Sequence, residues 1–121
     1  MIIRHLTGDP PAMARRATEF LASASDLVLV DLIVAECVYV LESFYGVKRP
    51  AVATLMRAAV TMPTVTAQTD LILRALELYE HQRLDFADAY LVAVAESGGR
   101  LGVASFDKAI DRVGSIERVE P

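Results

Sequence analysis

The chain has 121 residues, of which 54% are hydrophobic and 23% are charged, and its formal net charge is −4. This length fits one domain, and this composition excludes a disordered or low-complexity protein. The negative charge argues against a coat-type or architectural nucleic-acid binder, which presents a basic surface. It remains compatible with a nuclease whose acids bind cations.

The apolar runs indicate neither a membrane span nor a leader. Leu27–Val34 and Tyr90–Ala95 are much shorter than the ~20 residues that cross a bilayer. Met1–Leu6 is too short for a signal peptide, and no cleavage site follows it. The single cysteine, Cys37, excludes an internal disulfide and favours a reducing compartment. We therefore expect a cytoplasmic protein.

The first half of the chain predicts a helix, a strand and two more helices. Paired prolines mark a loop at residues 8–11, and Asp31 is expected to cap the helix that follows the strand. The predicted elements are a helix over Pro11–Ser23, a strand at Leu27–Val30 buried on both faces, a helix over Leu32–Tyr45 that stops at Gly46, and a helix over Pro50–Thr61.

The second half continues the alternation of strands and helices. Its predicted elements are a short strand at Val65, helices over Thr69–Glu80 and Asp85–Glu96, a buried strand at Leu101–Ser105, and an edge strand at Ile116–Val119. Such alternation is typical of an α/β fold with a parallel sheet. Functional sites in such folds lie at the carboxyl ends of the strands, where Asp31 and Asp107 fall.

Glu36 is the most informative residue for function. Its helical neighbours are apolar, among them Leu32 and Tyr39, so a carboxylate here is expected to be partly buried. Burying it is costly unless a metal or a cation compensates for the lost hydration. The alternatives are thus a metal ligand and a buried structural salt bridge to an arginine. Glu42, on a more polar side, is expected to be solvated.

Asp85 and Asp88 form a second acidic pair at the start of a helix. An N-cap explains Asp85, and the helix dipole favours an acid in the first turn, as at Asp88. Asp88 also shares a face with Leu91 and Val92 on an almost wholly apolar helix. Capping therefore explains Asp85 better than it explains Asp88.

Asp107 ends the region of the last buried strand, and Ser105 lies two positions before it. The two side chains can point the same way, since side chains alternate along a strand. The alternative is an Asp that opens a loop or caps a helix near Lys108. Acids from three segments at one edge of a parallel sheet predict a metal site, and oxygen-only ligands favour Mg²⁺ or Mn²⁺ over zinc.

Other candidate residues carry less weight. His5 and His81 are far apart in sequence and lack the spacing of metal ligands. Cys37 has no nearby histidine and is expected to pack in the core.

Three stretches, Asp31–Glu42, Leu84–Ala93 and Val103–Lys108, resemble the PIN-domain family, and within it the VapC-type ribonuclease toxins of bacterial toxin–antitoxin pairs. The likeness runs in order over nearly the whole chain. It implies a three-layer α/β/α fold around a central parallel sheet. It also implies a Mg²⁺- or Mn²⁺-dependent endoribonuclease, a VapB-like antitoxin as partner, and a homodimer.

The family's metal-site acids carry over to Glu36, Asp88 and Asp107. Ser105 matches a hydroxyl position that supports the last acid, and Asp85 matches an acid less consistently tied to the metal. Family members open with a strand that ends in a further catalytic Asp, and Met1 stands where the residues after that Asp belong. We therefore expect residues 1–121 to form a single PIN-like domain without that strand and its acid, which Asp9 does not replace.

The sequence thus predicts a VapC-like endoribonuclease toxin. The main rival hypothesis is a catalytically impaired PIN-like module that binds antitoxin or RNA without cleaving it. A third is an unrelated small α/β domain whose acids are caps and salt bridges.

Overall fold

The computed structural model describes residues 27–99, 102–105 and 108–121. The helix predicted over Pro11–Ser23 lies outside them. The chain divides into two compact units, Met1–Ala67 and Gln68–Pro121. The strands are β1 (Leu27–Val28), β2 (Val65–Thr66), β3 (Gly102–Ala104) and β4 (Glu117–Val119). The helices are α1 (Asp31–Ser43), α2 (Arg49–Val60), α3 (Thr69–His81), α4 (Phe86–Ser97) and a 3₁₀ helix (Lys108–Arg112).

In the first unit, β1 and β2 form a short parallel pair. Leu27 pairs with Val65, and the Leu29 amide donates to the Thr66 carbonyl at 2.9 Å. Leu29 is buried, but Val28 is 72% exposed. The predicted burial of this strand on both faces is therefore wrong, because only alternate side chains point inward.

Two residues, Leu29 and Val30, separate β1 from α1. Val30 is its N-cap and Asp31 its first helical residue, so the predicted capping role of Asp31 is wrong. Asp31 instead lies in the first turn, where an acid is favoured by the helix dipole. The helix ends at Ser43, slightly before the stop that the sequence predicted at Gly46. Gly46 has a φ of 64°, a left-handed conformation that glycine adopts readily. Its buried side consists of Val34, Cys37, Val38 and Leu41.

α2 packs against α1 and β2 through a fully apolar side. Pro50 is tolerated at the second helical position, since an amide there has no intrahelical partner. Val52 and Met56 are completely buried. Within the described part of the first unit, α1 and α2 thus supply most of the buried side chains.

In the second unit, α3 and α4 pack together as a helical hairpin. Ile72, Leu76 and Leu84 are completely buried. Tyr79 of α3 meets Phe86 of α4 edge to face, with ring centroids 6.2 Å apart. Asp88 lies in the first turn of α4, and packing against α3 holds this helix in place.

The loop between α3 and α4 contains a residue in the left-handed region. Gln82 caps α3, and Arg83 has a φ of 58°. The next residue, Leu84, then enters the core, and Asp85 reaches the N-cap of α4.

β3 and β4 form a second parallel pair, joined by the 3₁₀ helix. Val103 pairs with Arg118 and is buried, whereas Gly102 and Ala104 are exposed. Ile110 of the 3₁₀ helix is completely buried. The predicted edge strand at the C-terminus is confirmed as β4, while β3 is buried on one face rather than two.

The α/β class and the parallel strand pairing are thus confirmed. Within the described ranges the strands form two separate two-stranded sheets, β1–β2 and β3–β4. A three-layer arrangement around one central sheet stays a prediction.

Candidate metal site

Glu36 lies in the second turn of α1 on the outer face of the first unit. It is exposed, and so are the apolar side chains on the same face, Leu32 at 69% and Tyr39 at 70%. The expected partial burial of Glu36 is therefore wrong. The helix turns its small and branched residues inward and leaves this face to solvent. Because Glu36 is exposed, it does not form half of a buried salt bridge.

Cys37, the neighbour of Glu36, points to the opposite side of α1 and is 5% exposed. Burial raises the pKa of its thiol, and the adjacent Glu36 carboxylate raises that pKa further. A neutral, buried thiol is neither a nucleophile nor a metal ligand. The prediction that Cys37 is a core residue is confirmed.

Asp85 and Asp88 stand at the N-terminus of α4, as the sequence predicts. Asp85 is the N-cap residue, and its carbonyl accepts the Ala89 amide at 2.8 Å, but its side chain makes no capping hydrogen bond. Asp88 is half-buried in the first turn. Both residues lie at the positive end of the helix dipole, a position in which acidic residues are favoured.

Ser105 directly follows β3 and is half-buried. Its amide donates to the Val119 carbonyl at 3.0 Å, and its carbonyl accepts from Nη1 of Arg118 at 3.1 Å. β4 thus fixes the main chain at the carboxyl end of β3, two residues before Asp107. Asp107 itself lies outside the described residues.

The second unit brings several predicted residues into one packed body. α4, which carries Asp88, packs against β3 and the 3₁₀ helix, which flank the segment of Asp107. Glu36 belongs to the first unit. Among residues 27–99, 102–105 and 108–121, no three His, Cys, Asp or Glu side chains form a group able to hold a metal ion. Asp107 lies outside these residues, so the predicted site stays a prediction.

Two ionic networks in the second unit were not anticipated from the sequence. Arg74 of α3 binds Glu96 of α4 through two hydrogen bonds, of 2.8 and 2.9 Å, and Ser115 donates to the same carboxylate. Arg118 of β4 binds Asp111 of the 3₁₀ helix through Nε at 2.9 Å. Only the Arg118–Asp111 pair left a signal in the sequence. Because side chains alternate along a strand, Arg118 lies on the same side as buried Ile116, and Glu117 lies on the other side.

Comparison with known proteins assigns the family. The model described as PIN domain matches residues 1–116. No curated protein and no solved structure matches the chain. In the part of the chain that the structure describes, every helix is too short or too polar to cross a bilayer. PIN domains are generally metal-dependent nucleases that use divalent ions such as Mg²⁺. Because the match covers all but the last few residues, the chain belongs to the PIN domain family.

Proposed function

We propose that the chain is a Mg²⁺- or Mn²⁺-dependent endoribonuclease, the toxin of a type II, VapBC-like pair acting in the cytoplasm. The family match over residues 1–116 carries the proposal. The proposed fold is a three-layer α/β/α sandwich around a central parallel sheet. In this proposal residues 1–121 form one such domain.

The proposed metal ligands are Glu36, Asp88 and Asp107, with Asp85 as an accessory acid and Ser105 as support for Asp107. This donor set consists of carboxylate and hydroxyl oxygens, which suits a hard cation and not zinc. Solvent exposure of Glu36 and the half-burial of Asp88 at a helix N-terminus support the proposal.

A bound divalent ion would supply a water activated for attack and stabilise charge on the cleaved phosphate. The residues of the chain have the simpler tasks of holding and orienting. Asp88 is anchored on α4, whose core side is locked by Phe86 and Val92. Hydrogen bonds with β4 fix the main chain of Ser105, and they thereby limit the positions that its hydroxyl can reach.

The acidic surface also needs the ion before it can meet RNA. With a net charge of −4, the metal-free chain repels a polyanion. We expect RNA binding to depend on Mg²⁺ or Mn²⁺ and to weaken with added salt.

The exposed face of α1 supports a protein partner. Leu32 and Tyr39 flank Glu36 there, and Phe44 just beyond the helix is 83% exposed. Clustered large apolar side chains mark interaction surfaces more often than isolated ones do. We propose that a VapB-like antitoxin or a second copy of the chain covers this face. Light scattering of the native chain and of Tyr39→Ser, with and without a co-expressed antitoxin, separates the two.

The decisive experiment measures metal binding and RNA cleavage together. Mn²⁺ should raise the melting temperature of the native chain, because an ion that binds only the folded state stabilises it. The triple variant Glu36→Gln, Asp88→Asn, Asp107→Asn should lose this rise and any Mn²⁺-dependent cleavage of RNA.

A matched control removes the same charge elsewhere. Glu42→Gln, Asp70→Asn and Glu117→Gln change three acids on α1, α3 and β4 that have no proposed role. This control should respond to Mn²⁺ like the native chain. An equal rise in the site triple variant would refute the site. Binding of RNA with a metal response but without cleavage would favour the impaired module.

A further inference from the structure

The α1–α2 turn, residues 44–48, exposes an aromatic side chain on a fixed backbone. Phe44 is the C-cap residue of α1, and its side chain is 83% exposed. Its ring meets that of Tyr45 edge to face, with centroids 5.6 Å apart. Two hydrogen bonds of 2.9 Å close the turn, from the Phe44 amide to the Val40 carbonyl and from the Val47 amide to the Leu41 carbonyl. The turn thus holds a ring whose surface is open to solvent.

The same turn lies in a stretch of chain without negative charge. Residues 43–69 contain three basic residues, Lys48, Arg49 and Arg57, and none of the sixteen acidic residues of the chain. This stretch is therefore positive within a chain whose net charge is −4. Lys48 is exposed and Arg49 is half-buried at the start of α2, where the helix dipole disfavours cations. The stability of α2 itself does not account for cations at these positions.

Tyr39 on α1 is also highly exposed, at 70%, but its electrostatic surroundings differ. The exposed acids Glu36 and Glu42 stand three residues before and after it, on the same side of the helix. A polyanion is repelled there, so that face suits the protein partner proposed above. Glu42 precedes Phe44 by two residues, a spacing at which helical side chains point apart. Phe44 is therefore the exposed ring on the positive side of the turn.

We propose that the α1–α2 turn binds single-stranded RNA, with one base stacked on Phe44 and the neighbouring phosphates bound by Lys48 and Arg49. This inference rests on the proposed function, since it names a contact to the RNA substrate. An aromatic ring beside cations binds single strands because every base has a π-face and every nucleotide a phosphate. Phe44 and Lys48 are four residues apart, at most ~14 Å, so one short strand reaches both.

Two substitutions at Phe44 separate base stacking from an apolar contact with a protein. Phe44→Leu keeps an apolar side chain but removes the ring, so it preserves much of a protein contact and loses the stacking. Phe44→Trp keeps a ring and introduces a fluorophore into a chain that contains no tryptophan. Both changes carry little risk to folding, because the native side chain is 83% exposed.

The experiment uses the full chain and a short oligothymidylate, which has the charged backbone and the base faces of RNA but is not cut by a ribonuclease. At low salt with Mg²⁺ present, titration should quench the fluorescence of Phe44→Trp, since a stacked base contacts the indole. Fluorescence anisotropy of a labelled oligothymidylate compares the other variants. We expect Phe44→Leu to weaken binding about tenfold. In cleavage of single-stranded RNA, the same variant should raise KM and leave kcat unchanged.

The salt dependence of binding tests the phosphate contacts. Each phosphate that a protein neutralises on a single strand contributes ~0.7 to the slope of log K against log salt. Lys48→Gln should therefore make this slope shallower by ~0.7. The matched control is Arg83→Gln, which removes one exposed positive charge from the second unit and should leave the slope unchanged.

The possible failures are distinguishable. The inference is overturned if Phe44→Leu binds the oligonucleotide as tightly as the native chain does, or if the oligonucleotide does not quench Phe44→Trp. Loss of a dimer or of an antitoxin complex in Phe44→Leu, with oligonucleotide binding intact, would assign Phe44 to the protein-binding face and overturn it as well. If the variants behave as expected but the native chain cleaves no RNA with Mg²⁺ or Mn²⁺, the nucleic-acid contact stands and the proposed nuclease function fails.

Discussion

The ion pair between Arg74 and Glu96 is expected to contribute measurably to the stability of the second unit. Arg74 Nε and Nη2 reach the two oxygens of Glu96 at 2.8 and 2.9 Å, and the Ser115 hydroxyl adds a third bond to that carboxylate. These residues come from α3, α4 and the turn before β4. Loss of the pair should therefore destabilise the unit that contains Asp85, Asp88 and Ser105.

The magnitude follows from the geometry and the exposure of the pair. A hydrogen bond to a charged group contributes ~1.5–3 kcal/mol when buried, and an exposed ion pair ~0.2–1 kcal/mol. The two side chains are 38% and 19% exposed, so solvent screens the interaction in part. We expect a coupling energy of about 1.5 kcal/mol between Arg74 and Glu96.

Urea denaturation of the native chain, Arg74→Met, Glu96→Gln and the double variant gives this coupling directly. The pair Arg74–Glu77 is a control within the same arginine: its distance is 2.6 Å, but Glu77 is 58% exposed. Its coupling should be about 0.3 kcal/mol, as for other pairs on one helix surface. Equal couplings for Glu77 and Glu96 would refute the reasoning from exposure and bidentate geometry.

The same pair predicts a pH dependence. The hydrogen bonds from Arg74 lower the pKa of Glu96, and the Ser115 hydroxyl contributes to the shift. A carboxyl group whose pKa is lower in the folded state contributes stability above its unfolded pKa and loses it as the pH falls through the folded value. The stability gap between native chain and Glu96→Gln should thus be full at pH 7 and shrink on acidification. A gap independent of pH would contradict the assignment.

Three further predictions concern single residues. Glu36→Gln should change metal-free stability by less than ~0.5 kcal/mol in urea denaturation, since Glu36 is exposed, while it removes the Mn²⁺ response; a larger loss of stability would reveal a structural partner. Leu76→Ala, at a completely buried position of α3, should cost ~3 kcal/mol in the same assay, and a cost near zero would mean that the α3–α4 core is not packed as described. Cys37 should react with a thiol reagent only as fast as the protein unfolds, because its thiol is buried and its pKa is raised; rapid labelling of the folded chain would contradict this.

The helices were predictable because their boundaries depend on local chemistry. Pro50 and Gly46 fix a start and a stop near the residues that the sequence indicated, and α3 and α4 shift by a residue at most. The strands were predicted less well. An apolar run such as Leu27–Val30 shows that a strand is buried, but it does not show on how many faces, because that depends on which elements pack against it.

In the candidate site, too, features set by neighbouring residues in the sequence were predictable, whereas features set by tertiary packing were not. The placement of Asp85 and Asp88 at the start of a helix follows from helix-start chemistry alone. The surroundings of Glu36 do not, since its apolar neighbours Leu32 and Tyr39 turn out to be exposed. Arg118 was missed because its partners, Ser105 and Asp111, are set by the pairing of β3 and β4 and not by spacing along one element.

The left-handed backbone of Arg83 restricts how this sequence can vary. A residue with a Cβ in this conformation costs ~1–2 kcal/mol relative to a right-handed one, and glycine avoids the cost at the expense of a more flexible unfolded chain. Substitution of Arg83 by glycine or asparagine should therefore be almost neutral, whereas valine or isoleucine should be selected against. Among natural relatives that keep this loop length, position 83 should accordingly drift among Gly, Asn and unbranched residues. The charge of the arginine would be lost readily, while the shape of its backbone would persist.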